Sequence, residues 1–151
     1  LPSKIAMKFR KEHIKGFVNI GACQLYIGLF HNNNLIGVLG FSDDDTINSD
    51  ILIKADTAIS SNKNSIDLLL YVLRTKQVQE ILEKKFNRKI NTAYSMAFSK
   101  NPQINRYRKH ATLIKKIKNK NSYNLGYEFV LGGIQTLKSA KALWMQKHKI
   151  K

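Results

Sequence analysis

The stretch QLYIGLFHNNNLIGVLGFS, residues 24–42, decides how this chain folds. Two apolar runs, 25–30 and 35–41, flank His31-Asn32-Asn33-Asn34. Runs rich in Ile, Leu, Val, Phe and Tyr read as strands, and consecutive Asn residues tolerate the positive φ of a tight hairpin turn. Both runs are apolar at nearly every position, so both faces of the hairpin are expected to be covered. Gly28, Gly37 and Gly40 interrupt them, which predicts bulges or a close approach to the backbone. The hairpin is the expected centre of a mixed α/β sheet.

Around it, 151 residues fit one domain with a real core, and 43% hydrophobic residues with only two prolines indicate a globular chain. The apolar runs are far shorter than a membrane span, and the start LPSKIAMKFRKEH lacks the apolar segment of a signal peptide. The single cysteine, Cys23, excludes an internal disulfide and fits a reducing, cytoplasmic setting; its plain reading is a buried small residue near a strand start. Charge is segregated. Residues 1–73 carry seven Lys or Arg and seven Asp or Glu, whereas residues 74–151 carry 19 and three, which supplies the whole +16. A one-signed half attracts polyanions, and nucleic acid is the expected partner rather than a membrane. The competing explanation is coding bias towards Lys and Asn.

Read in order, Ser3 caps a short helix over 3–9 that leads to Gly16, and His13 sits near its end, where an imidazole is favoured by the helix dipole. Residues 18–23 connect to the hairpin. Asp43-Asp44-Asp45-Thr46 lacks the glycine and distal glutamate of a calcium loop and reads as a solvated turn. Residues 47–59 are indistinct short apolar pieces, and 60–65 form a polar loop. The continuous apolar run 66–73 (IDLLLYVL) reads as a central strand, and Thr75 opens an amphipathic helix over 76–86, ended by Asn87-Arg88-Lys89. Residues 90–98 (INTAYSMAF) alternate as a further strand, and Ser99-Lys100-Asn101-Pro102 turns into a basic helix over 103–118. A hydrophilic linker over 118–122, a short strand over 127–131 and a last helix capped by Thr136 complete the chain.

Many standard sites are absent. There is no phosphate-binding or dinucleotide-binding glycine loop, no nucleophile elbow, no H-E-x-x-H and no cysteine pair. His13, His31, His110 and His148 are scattered without metal-ligand spacing, so no metal site is expected, and carboxylates are too few in the second half for a two-metal nuclease. An enzyme built from this inventory relies on positioning and few ionisable groups.

The order helix, hairpin, strand, helix, strand, helix, strand resembles the GNAT acyltransferase fold, an α/β (α+β) architecture with a central mixed sheet, a β-hairpin core and flanking helices. In that family the backbone after the central strand and the next helix N-terminus hold the pyrophosphate of acyl-CoA. The resemblance places this at Arg74-Thr75-Lys76-Gln77, where the family's glycine fingerprint is absent. F-x-x-x-H-I-x-G from Phe9, then Y-I-G-L-F and N-L-I-G-V-L-G-F, resemble the phage Mom DNA-modification proteins and related phage GNAT-like domains over roughly residues 9–131. His13 and Gly16 match that family's H-Y-S-G motif, and 67–70 stand where its glutamate–leucine–x–arginine strand lies, without the arginine. Residues 101–110 resemble the GNAT helix whose tyrosine protonates the leaving thiolate, a role that would fall to Tyr107; the plain alternative is an aromatic of an amphipathic helix.

Two functional readings follow for this single domain with its basic half from residue 74. One is a phage-type, GNAT-like transferase acting on a DNA base, with His13 as general base or part of the site, helped by Tyr94, Ser95 and Tyr107, and with acyl-CoA the cofactor implied by resemblance. The other is a non-catalytic DNA-binding module on the same fold, within a larger DNA-processing or anti-restriction system. In either, Arg74, Lys76, Arg88, Arg106, Arg108, Lys109, His110, Lys115 and Lys116 are the candidate contacts to double-stranded DNA, with Tyr107 or Tyr123 stacking on bases. A third reading, a sheet-based protein-interaction domain with incidental basicity, predicts only weak polyanion binding.

Overall fold

In the computed structural model the hairpin forms as its sequence predicts: β1 (Leu25–His31) and β2 (Asn34–Ser42) pair antiparallel. Asn32 and Asn33 turn the chain at φ 48° and 64°, the paired positive values that a two-residue turn between twisted strands requires. The structure describes residues 1–13, 22–59, 64–98, 104–118 and 123–148, with the backbone alone at 104–106. The expected turn at 99–102, the connector over 18–21, most of the polar loop at 60–65 and of the linker at 118–122, and Gly16 lie outside the described residues.

The hairpin is not the expected centre but one flank of a six-stranded mixed sheet of order β1-β2-β3-β4-β6-β5, with the partly exposed β1 at the edge and β3 and β4 in the middle. Its other strands are β3 (Ile51–Ala58), β4 (Thr92–Phe98), β5 (Thr112–Lys118) and β6 (Tyr123–Val130). Helix α1 (Ser3–His13) covers one face through Ala6 and Phe9, packed on Tyr26 and Val38. Ser3 lies inside its first turn, and the Pro2 carbonyl accepts from the Ala6 N–H. Gly40 is needed on this face: a Cβ there would sit 2.5 Å from Cys23 Sγ and 2.9 Å from Ala55 Cβ. The opposite face carries α2 (Ser65–Leu73), α3 (Lys76–Phe86), α4 (Ile104–His110) and α5 (Leu137–Lys147) over the main core of Leu39, Phe41, Ile51, Leu69, Leu70, Leu73, Tyr127 and Phe129.

Three further expectations are corrected. The run over 66–73 is helix α2, with seven of its nine residues buried. It is apolar all round because it lies between the sheet, α5 and its helical neighbours, and continuous burial removes the periodicity that separates helix from strand. Residues 67–70 are therefore helical, and the strand-to-helix junction expected at Arg74-Thr75 is a helix-to-helix junction. Residues 47–59, indistinct in sequence, contain the central strand β3. The basic helix over 103–118 ends at His110, and 112–118 is edge strand β5, exposed at every position. An edge strand bearing Lys115, Lys116 and Lys118 shows no burial alternation, and its charges guard an open edge.

Ser3, expected as a cap, is instead the first residue of α1, whereas the other expected caps form. Thr75 Oγ1 accepts from Val78 N at 3.4 Å and donates to the Val72 carbonyl at 2.7 Å, breaking α2 from α3. Lys76 N and Ile134 O (3.0 Å), with Ile134 N and Arg74 O (3.1 Å), tie that break to the segment after β6. Asn87 closes α3 at φ 54°, and Thr136 Oγ1 caps α5 through Ser139 N at 3.0 Å.

The feature that positions the site is the parallel pair β3–β4. It pairs only at Ile51↔Ala93 and Leu52↔Tyr94, beside an anchor in which Asp50 Oδ2 accepts from Asn91 N (2.7 Å) and Thr92 N (3.1 Å). Beyond it both strands continue to Ala58 and Phe98 with no further pairing between them among the described residues. The sheet is open between its two central strands, which leaves main-chain donors and acceptors on the facing edges.

Candidate active site

Asp56 lies on β3 at this opening. Its register neighbour on β2 is Leu39, on the main-core face, whereas Ala55 packs beside Gly40 and Cys23 on the α1 face. The register slips at Gly40/Phe41, where Gly40 faces Ala55 and Phe41 faces Ile53, leaving Lys54 bulged and exposed. That slip lets Ile53 and Asp56 both face the core side, and a bulge that re-aims a side chain is common beside a site. Across the opening, Tyr107 of α4 donates its hydroxyl hydrogen bond to Asp56 Oδ2. Ser95 of β4 also hydrogen-bonds the Tyr107 phenol. Tyr107 and Ser95 are 3% and 4% exposed. Tyr127 of β6 packs its ring 5.7 Å from that of Tyr107, and its buried hydroxyl has no partner among the described residues.

The electrostatics follow from this enclosure. Burial pushes the Asp56 carboxyl up to about 6, while the Tyr107 hydrogen bond and the Arg10 guanidinium hold it below a still higher value. The Tyr107 phenol is raised well above its ordinary range by burial first and by the adjacent Asp56 charge second, with Ser95 acting in the opposite sense. Near neutral pH the pair is a carboxylate able to take a proton, bonded to a phenol that keeps one. Groups tuned apart in this way suit general acid–base chemistry.

A second cluster lies three residues further along α4. Asp67 of α2 is 1% exposed and accepts from His110 Nε2 (2.7 Å), Lys147 Nζ (2.9 and 3.0 Å) and His148 Nε2 (2.7 Å). Burial disfavours its charge, but bonds from His110, His148 and Lys147 outweigh that and hold it well below the usual carboxylate range. His110 Nδ1 faces Arg74 Nη1 at 3.0 Å. A guanidinium only donates, so Nδ1 accepts and the ring proton sits on Nε2, towards Asp67. Burial, partly opposed by Asp67, shifts His110 below its ordinary value, which suits this neutral tautomer.

Of the residues singled out in the sequence, Ser95 and Tyr107 are brought together. Tyr94, next to Ser95 on the strand, points to the other sheet face, where its hydroxyl lies against Gly126 and burial raises it. His13 ends α1 with its ring 4.4 Å from Phe9, and its Nδ1 has no partner among the described residues. No hydrogen bond joins it to Tyr94, Ser95 or Tyr107 among those residues. Arg74, Arg108, Lys109 and His110 line one cavity. Arg88 instead pairs with Asp43 and donates to the Asp50 carbonyl, Lys76 is exposed on α3, and Lys115 and Lys116 are exposed on β5. The Arg106 side chain lies outside the described residues. Asp56 was not anticipated; its one sequence signal is a lone acid inside the strand-like run ILIKADTA. No group of three His, Cys, Asp or Glu side chains converges as a metal site among the described residues.

The strand order, the parallel pair opening between its central strands and the tyrosine-bearing helix across it define a GNAT-like α+β fold. Residues 2–149 match the family described as phage GNAT-like domain, and the chain belongs to that family. Among solved structures it is similar to an acetyltransferase of the GNAT family from Bacillus cereus (TM-score 0.52, 8% identity, 70% of each chain covered). It is also similar to a putative acetyltransferase of the GNAT family from Desulfovibrio desulfuricans (TM-score 0.52, 6% identity, 70% of this chain and 67% of the other). At these identities the likeness is one of fold. No curated protein matches the chain. No helix among the described residues is long and apolar enough to cross a membrane.

Proposed function

We propose that this chain is a transferase that modifies a base of double-stranded DNA, with Asp56 as general base and Tyr107 as its proton-holding partner. The observation that carries the reading is the Asp56–Tyr107–Ser95 arrangement at the opening between β3 and β4. Asp56, raised to about 6, takes a proton from an attacking amine or hydroxyl at neutral pH. Tyr107, bonded to both Asp56 and Ser95, holds a proton at its oxygen for the departing group.

The fold family implies acyl-CoA, and the residues fit it in one respect. The divergent edges of β3 and β4 present unpaired main-chain groups suited to an extended amide chain, and the buried Tyr127 hydroxyl supplies a further polar contact. With the central strand reassigned to β3, the expected pyrophosphate position moves from Arg74-Thr75 to the start of α2 near Ser65. Bound there, the cofactor would supply the activated acyl group.

DNA as substrate rests on charge. The second half holds the entire net +16, and Arg108 and Lys109 follow Tyr107 on α4, so phosphate contacts and chemistry share one helix. Since the reacting atom of a stacked, paired base cannot enter an opening in the protein, the target base would have to be extruded towards it. The test is nucleoside mass analysis of DNA from phage-hosting bacterial cells making the protein, beside cells without it. A new mass on one base supports the transferase. Only ordinary nucleosides, from cells where the protein binds DNA, favour the non-catalytic binding module, a reading supported by the fully exposed lysine-bearing strand β5.

A further inference from the structure

We infer that the cavity between the ends of α2 and α4 is a binding site for a phosphate monoester dianion, separate from the opening that holds Asp56. Its volume is about 310 Å³, and Arg74, Arg108, Lys109, Thr112 and Gly133 are among its lining residues. The opening between β3 and β4 lies beyond Leu52 and Tyr94, towards Ala58 and Phe98, whereas Thr112 and Glu128 of this cavity stand in register with Tyr94, where those strands still pair.

Two features make the cavity a built site rather than a patch of solvated charge. The first is a relay of support. Lys147 and His148 hold Asp67, Asp67 fixes the His110 ring, and His110 Nδ1 accepts from Arg74 Nη1 at 3.0 Å. One of the five Arg74 N–H donors is spent on orientation, and the others remain on a guanidinium held at the cavity wall. Asp67 does not neutralise the cavity, because it is 1% exposed and fully engaged behind His110. The second is the balance of charge at the wall. Arg74, Arg108 and Lys109 bring three cations to the lining, against one carboxylate, Glu128, which accepts from Ser49 Oγ at 2.6 Å. A net two positive charges match a dianion with three terminal oxygens better than the single charge of a backbone diester. Two sources share that chemistry, a terminal phosphate of a nucleic acid and a small phosphorylated molecule. The first deepens the nucleic-acid reading and rests on it; the second does not.

The test uses the whole chain and two probes at constant ionic strength, inorganic phosphate and a short oligonucleotide with or without a 5′-phosphate, each followed by calorimetry. The variants are Arg108→Ala with Lys109→Ala, both exposed residues, and Arg74→Lys, which keeps the charge and loses the fork. Phosphate is expected to bind in preference to chloride, about tenfold more weakly in the double variant, and normally to Asp56→Asn. A 5′-phosphate that tightens oligonucleotide binding in the wild type alone identifies a nucleic-acid end as the source. Phosphate binding lost in the double variant, without any effect of the 5′-phosphate, supports the site with a small molecule as its ligand and removes this support from the DNA reading. Phosphate binding no better than chloride, or unchanged in the double variant, overturns the inference, whatever the outcome of the base-modification assay.

Discussion

Replacing Asp56 with Asn should make the protein more stable relative to wild type as pH rises. The substitution keeps the shape and the acceptor for Tyr107 while removing the ionisable group. In the folded chain Asp56 is raised to about 6 from an ordinary 3.8, so ionising it costs more folded than unfolded. The wild type therefore has this group's full stability below about 3.8 and loses it progressively up to about 6. Two pH units correspond to roughly 3 kcal/mol above that window, and the part falling between pH 4 and 8 is about 2–3 kcal/mol. Any fixed cost of the amide is the same at every pH and cancels from the slope. Urea unfolding of both proteins from pH 4 to 8 reads the difference directly, and near pH 8 it corresponds to a Tm gap of several degrees for a chain of this size. A flat difference would show that Asp56 titrates as it does in water. A difference of opposite slope would show that Tyr107 and Arg10 hold it charged, and the general-base assignment would fail with it.

Tyr107→Phe is expected to lower turnover by about 10²–10⁴-fold and to move the acid limb of the pH–rate profile upward, since the lost hydrogen bond is one that lowers Asp56; an unmoved limb would separate the two residues. Asp67→Ala, which strands His110, Lys147 and His148 without their shared acceptor, should cost about 3–5 kcal/mol in urea unfolding, and a loss under 1 kcal/mol would mean the cluster is not a buried ionic hub. If β5 tracks phosphates, Lys115→Ala with Lys116→Ala should reduce the slope of log K against log salt by up to about 1.8, and an unchanged slope would remove that strand from the interface.

How much was legible in the sequence depends on how each element is buried. The hairpin was readable because paired asparagines at positive φ leave a local signature, and Thr75 and Thr136 because a cap is a property of a few adjacent residues. Helix α2 was not, because a segment covered on all sides loses the contrast that periodicity needs. Strand β3 was hidden by its own site: the bulge at Lys54 breaks the alternation, and Asp56 places a carboxyl on the core face. Tyr107 could be nominated by resemblance and Ser95 as a polar residue beside it, but only the slipped register of β3 brings a carboxylate to them. The cations were countable from the sequence. Their sorting was not: Arg88 lies paired with Asp43 on the rim, while Arg74 and Arg108 share a cavity because α2 and α4 end together.

Whether chemistry occurs at Asp56 or at His13 is decided by the yield of modified nucleoside from cells making the wild type, Asp56→Asn or His13→Ala at equal protein levels. A new base mass is expected with the wild type and with His13→Ala, and none with Asp56→Asn although that variant is folded. A product that persists in Asp56→Asn and disappears in His13→Ala would refute the Asp56 assignment and return the site to the end of α1.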